Sequence, residues 1–173
     1  MSLYVFLKKM SGITTNEEIL YGNPKIGNKR PMCDCHQRHI PTKAKAEVIK
    51  RLGGSYSLWI LPSHVNDFES LHSEIKSLIG NIPGVGNLTI YDVAVRLGAK
   101  YNILPKNYVY LHAGPMISAK HLEKIGRITL TRPLSPCVPT TDFSSIYSMF
   151  SSPTAFDIES DLCTRKNDIL KLV

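Results

Sequence analysis

The chain has 173 residues, of which 43% are hydrophobic and 20% charged, a length and balance that suit one globular domain able to bury a sizeable core. Its formal net charge of +7 and pI near 9.3 favour polyanionic partners, because each phosphate neutralised by Lys or Arg releases counterions. No apolar run approaches the roughly twenty residues of a membrane span, and the apolar patch before Lys8 and Lys9 is too short for a secretory signal, so the expectation is a soluble cytoplasmic protein with no membrane partner.

The charge is unevenly placed. Ten basic residues against four acidic ones lie between Met1 and Arg51, whereas three against five lie between Thr140 and Val173. A solvated basic surface explains such an excess as well as nucleic-acid contact does when charge is the only observation. Eleven Gly and eleven Pro predict short helices with many breaks. The four cysteines, without a signal peptide, read as thiols or metal ligands rather than a disulfide framework.

In chain order, Ser2 to Met10 carries the β-favouring Tyr4, Val5 and Phe6 and reads as a short strand or extended lead-in. Thr15 with Glu18 forms a capping box opening a short helix through Leu20, ended by Tyr21-Gly22-Asn23-Pro24. A basic loop from Lys25 to Met32 follows. Thr42 then caps a helix from Lys43 to Leu52, with Ala44, Val48 and Leu52 on one face and Gly53-Gly54 as its stop. Ser55 to Leu61 reads as extended.

Phe68, Leu71, Ile75, Leu78 and Ile79 recur at spacings of three and four, the period of one buried helical face. Asn66 with Glu69 caps that helix, and Gly80 ends it. Ile90, Val93, Ala94 and Leu97 repeat the pattern up to Gly98, with Thr89 as N-cap and Asp92 three residues on. Tyr108 to Pro115 is a buried strand or an irregular crossing segment. Ser118 caps a helix reaching Ile125, Arg127 to Thr131 alternates as a strand, and Pro133, Pro136 and Pro139 make a connector. Asp142 to Phe150, with Phe143, Ile146, Tyr147 and Phe150 on one face, and Thr154 to Cys163 read as two closing helices. The expected fold is thus mainly α: a single helical domain over 1–173 with a few short strands and a central helix-hairpin-helix at 66–98.

Between the two central helices stands Ile82-Pro83-Gly84-Val85-Gly86. Glycines there reach positive φ and let backbone N–H groups approach a ligand, and an amide-lined hairpin feeding a helix N-terminus suits a phosphate oxygen. Leu78 to Leu97 resembles the helix-hairpin-helix module of DNA repair and DNA-processing proteins, whose loop reads Pro-Gly-Val/Ile-Gly followed by a capping Thr and a small residue in the second helix. Pro83, Gly84, Val85, Gly86 and Thr89 carry the likeness, with Ala94 as the small residue, over about twenty positions. It implies that the amides of Gly84, Val85 and Gly86 and the Thr89 hydroxyl hold a phosphate without reading sequence. Lys100 and Lys106 add local charge, and the resemblance favours DNA over RNA as partner. The alternative is an αα-hairpin used only for packing, in a protein-interaction or structural module.

Glycosylases sharing this hairpin carry a catalytic Lys just after its second Gly and a catalytic Asp beyond the second helix. Asn87 and Leu88 stand in the first place and Tyr108 to His112 holds no acid in the second, so that machinery is absent. Asp92 fits capping or an i,i+4 pair with Arg96. An unrecognised enzyme would have to use His112, with Tyr110 and Cys35, in a pocket where they converge; the commoner role of such a His is a hydrogen-bonded core residue. Tyr91 to Ala94, Arg96 to Ala99, Val109 to Gly114 and Ile158 to Cys163 also resemble segments of uncharacterised bacterial proteins, a likeness that supplies no activity.

Cys33, Cys35, His36 and His39 offer two thiolates and two imidazoles within seven residues, the donor types of a small structural zinc site. Their spacing departs from the usual Cys-x₂₋₄-Cys knuckle. A partial set, Cys35 with His39 completed by Cys137, Cys163 or a distant His, is equally allowed, and so are buried thiols beside solvent-facing histidines.

Overall fold

Helix dominates the chain, as the periodicity predicts. The structure, a computed structural model, describes residues 3–26, 29, 37–55, 64–132, 136–147 and 153–173. Among them are nine helices and one two-stranded sheet: α1 (Leu3–Ser11), α2 (Asn16–Tyr21), α3 (Thr42–Ser55), α4 (Phe68–Ile79), α5 (Asn87–Lys100), β1 (Tyr108–Tyr110), α6 (Ala113–Lys124), β2 (Cys137–Pro139), α7 (Ser144–Tyr147), α8 (Ala155–Thr164) and α9 (Lys166–Ile169). They fall into two compact units, Tyr4–Leu104 and Pro105–Val173.

In the Tyr4–Leu104 unit, α4 packs along α5, α2 lies on α3 and α5, and α3 also meets α4. Phe68, Leu71, Ile75 and Ile79 from α4 and Ile90, Val93, Ala94 and Leu97 from α5 are all buried, the two stripes that the sequence spacing marks. Ala44, Val48 and Leu52 of α3 are buried as expected. The first segment is helical rather than extended: Phe6 and Met10, one turn apart, are both buried, and that helical spacing overrides the strand preference of Tyr4-Val5-Phe6.

Two glycine stops are not stops. The third helix runs through Gly53-Gly54 to Ser55, and a Cβ on Gly53 would sit 3.2 Å from Asn16 Nδ2, so glycine there admits α2. The fifth helix continues past Gly98 to Lys100, and a Cβ on Gly98 would lie 2.1 Å from the Ile103 carbonyl oxygen. The chain folds back on itself there, with the Tyr101 and Ile103 amides donating to the Gly98 carbonyl. Close approach, not helix termination, is what these two glycines serve.

The capping box on α2 forms as read. Thr15 Oγ1 accepts from the Glu18 amide at 3.2 Å, and Glu18 Oε2 accepts from the Thr15 amide at 2.8 Å. Glu18 does more than cap. Its Oε2 also accepts from the Thr14 amide at 2.7 Å and the Thr14 hydroxyl at 3.1 Å, and its Oε1 accepts from the Lys25 amide, fastening the segments before and after α2 to one carboxylate. Burial pushes the Glu18 carboxyl up, but these hydrogen bonds to its charged form outweigh burial and hold it below the ordinary glutamate value.

A carboxyl with a lowered folded pKa contributes stability that is present above its unfolded value and is lost as pH falls through the folded one. Glu18→Gln, which turns a donor toward backbone N–H groups, is therefore expected to cost about 1.5–3 kcal/mol at pH 7. Its denaturation midpoint should also fall less steeply than wild type below about pH 5. Parallel stability curves for the two proteins between pH 7 and 3 would show that Glu18 is not the linked group.

In the Pro105–Val173 unit, β1 and β2 pair antiparallel with Val109 opposite Val138, and both valines are buried. Leu111, Leu122, Phe143, Ile158 and Leu162 fill the core beneath them. The strand expected over Arg127 to Thr131 is instead irregular chain held by side chains: Glu123 Oε1 accepts from the Leu130 amide at 3.2 Å and Asp142 Oδ2 from the Thr131 amide at 2.9 Å. The proline connector supplies the second strand, ending on Pro139, where no ladder N–H is needed.

Ser118 lies inside α6, its hydroxyl donating to the Leu162 carbonyl at 2.7 Å; the N-cap of that helix is His112. Asp142 lies in a 3-10 turn over Thr140–Phe143, which passes into the short α7. Phe150 and the expected extended run 56–61 lie outside the described residues. Thr154 caps α8 through a box with Asp157. No helix among the described residues is long and apolar enough to cross a membrane.

Candidate functional site

The connection between α4 and α5 is built from a short run of local bonds. Gly80 closes α4, its amide donating to the Lys76 carbonyl at 2.8 Å. Ile82 is buried and anchors the turn in the core. The Val85 amide then donates to the Ile82 carbonyl at 3.0 Å around Pro83-Gly84, with Gly84 at φ +90°. This is the pattern of a type II turn, in which Pro presets the second position and only a residue without Cβ takes the third at little cost.

Gly86 is the N-cap of α5, in extended backbone (φ −103°, ψ 175°) and with no side chain to cap the helix. The first-turn amides of a helix have no partner within it. Among the described residues none takes up the N–H groups of Gly84, Gly86, Asn87 or Leu88, and Pro83, Gly84, Gly86 and Asn87 are exposed. A bare, solvent-facing backbone thus carries the positive end of a helix dipole at its exit.

Two of the four groups expected to contact a phosphate sit differently. The Val85 N–H is used inside the turn, and Thr89 is the third residue of α5 rather than its cap, with only 6% exposure. The first helix is likewise capped one residue later than expected, by Asp67, whose Oδ1 accepts from the Ser70 amide at 2.7 Å. Lys100 ends α5, about 20 Å along the axis from Asn87 at 1.5 Å per residue, and its ammonium donates to the Ile13 carbonyl. Lys106 is an exposed residue of the Pro105–Val173 unit.

What flanks the turn is α3, a neighbour the sequence did not disclose. A Cβ on Gly84 would lie 2.8 Å from Pro41 Cδ and 3.9 Å from the Ala44 methyl, so the turn rests on the start of α3. Further along that helix, Arg51 Nη1 donates to the Leu78 carbonyl at 3.0 Å and to Asn81 Oδ1. Lys43 and Lys50 are exposed on α3, Arg38 and His39 are exposed just before it, and Lys76 is exposed in the last turn of α4. The Tyr4–Leu104 stretch holds thirteen Lys and Arg against eight Asp and Glu.

Asp92 pairs with Arg96 at 3.5 Å, the i,i+4 pair the spacing suggests, and also accepts from Gln37 Nε2. Arg96 is buried and donates to the carbonyls of Ile19 at 3.2 Å and Leu20 at 2.8 Å, at the C-terminal end of α2. This network holds α2, α5 and the segment before α3 together.

Cys33, Cys35 and His36 lie outside the described residues, and His39 is exposed. Among the described residues no three His, Cys, Asp or Glu side chains group as a metal site. Tyr110 and His112 are buried, at 7% and 8% exposure. A cleft of about 330 Å³ in their unit is lined by Tyr147, Pro153, Asp157, Asp161 and Arg165 rather than by them. Within it the Tyr147 hydroxyl donates to Asp161 Oδ2 at 2.6 Å, and burial followed by this carboxylate pushes the phenol well above its ordinary value.

Compared with family models, with curated proteins and with solved structures, the chain matches none.

Proposed function

We propose that the Tyr4–Leu104 unit binds nucleic acid, DNA before RNA, by gripping backbone phosphates at the hairpin turn without reading sequence, and that it does so in the cytoplasm. One observation carries the reading: the exposed turn ends in a side-chainless N-cap that leaves the opening amides of α5 to solvent. Amides at a helix N-terminus suit an anion, and here they stand in a stretch with net positive charge. Gly86, with the amides of Asn87 and Leu88, is the contact point, and Lys43 and Lys50 extend the basic surface.

Salt titration tests this. Unrelated duplexes of equal length are expected to bind with similar affinity, and log K should fall linearly with log[salt] at about 0.9 per phosphate neutralised. Binding that is undetectable at low salt, or indifferent to ionic strength, sinks the proposal. A second reading, a packing or protein-interaction module, is favoured by the contact of Gly84 with Pro41, since φ and close approach there account for that glycine without a ligand. It leaves Gly86 unexplained, because nothing stands within 4 Å of a Cβ at that position.

A further inference from the structure

We draw no further inference here: the strongest candidate, the cleft of about 330 Å³ in the Pro105–Val173 unit lined by Tyr147, Pro153, Asp157, Asp161 and Arg165, carries nothing, because its phenol, carboxylates and guanidinium are already engaged with one another and with the Thr154 cap and nothing in the structure shows what ligand would take their place.

Discussion

Replacing Arg96 by Met is expected to destabilise the Tyr4–Leu104 unit by about 3–5 kcal/mol, the range for removing one partner of a buried ion pair. The guanidinium is 5% exposed and serves two structures at once. It neutralises Asp92 on its own helix, and it satisfies the Ile19 and Leu20 carbonyls where α2 ends. Gly22, at φ +71°, brings the backbone so close that a Cβ there would stand 2.6 Å from the guanidinium carbon. Methionine matches the stem but leaves the Asp92 carboxylate, which also accepts from Gln37, without its guanidinium, and two helix-terminal carbonyls to be re-solvated.

Chemical denaturation reads the loss directly. In a thermal scan of a unit near one hundred residues it corresponds to a fall in Tm of more than about 12 °C. Pairing Arg96→Met with Asp92→Asn should cost less than the sum of the two, because the uncompensated charge disappears. A single mutant within about 1 kcal/mol of wild type would show that the network is incidental to stability.

The sequence carried the two central helices because Phe68, Leu71, Ile75 and Ile79, then Ile90, Val93, Ala94 and Leu97, repeat at the helical period over three turns each, and burial follows that period. Capping boxes survived where the partners stand alone, as with Thr15 and Glu18. They shift where two polar residues compete, Asp67 taking the place of Asn66, and where the chain enters the helix earlier than the polar residue, side-chainless Gly86 standing at the cap instead of Thr89. A cap is chosen by where the chain enters the helix, which tertiary packing sets.

Glycine was the least legible residue. At Gly53 and Gly98 it makes room for Asn16 and for the Ile103 carbonyl, contacts formed by residues distant in the chain or folded back upon it. The candidate site divides in the same way. Its turn chemistry is local and could be read from Pro83-Gly84. The support of that turn by Pro41, Ala44 and Arg51 is a packing of α3 for which no spacing gives a signal. Lys100 is near the turn in sequence, but the geometry of a fourteen-residue helix carries it to the opposite end.

Gly86 separates the ligand role of the turn from its structural role. Gly86→Asp is expected to raise stability by about 0.5–1 kcal/mol while weakening duplex binding by about tenfold or more. The backbone there, φ −103° and ψ 175°, already has N-cap geometry, and a Cβ meets nothing within 4 Å, so Asp enters without strain. Its carboxylate can accept from the Leu88 or Thr89 amide and sits favourably at the positive end of the helix dipole. That same carboxylate occupies the donors a phosphate would use and places a negative charge beside any that approaches. Stability and affinity should therefore move in opposite directions, which loss of folding cannot produce. Gly86→Ser, which caps without charge, is expected to share the stability gain and lose less affinity. Gly84 is the poorer probe, because at φ +90° against Pro41 any side chain disturbs the turn itself and lowers binding for reasons unrelated to phosphate. Unchanged duplex affinity in a more stable Gly86→Asp protein would leave the turn as packing alone, with α5 simply awaiting a cap.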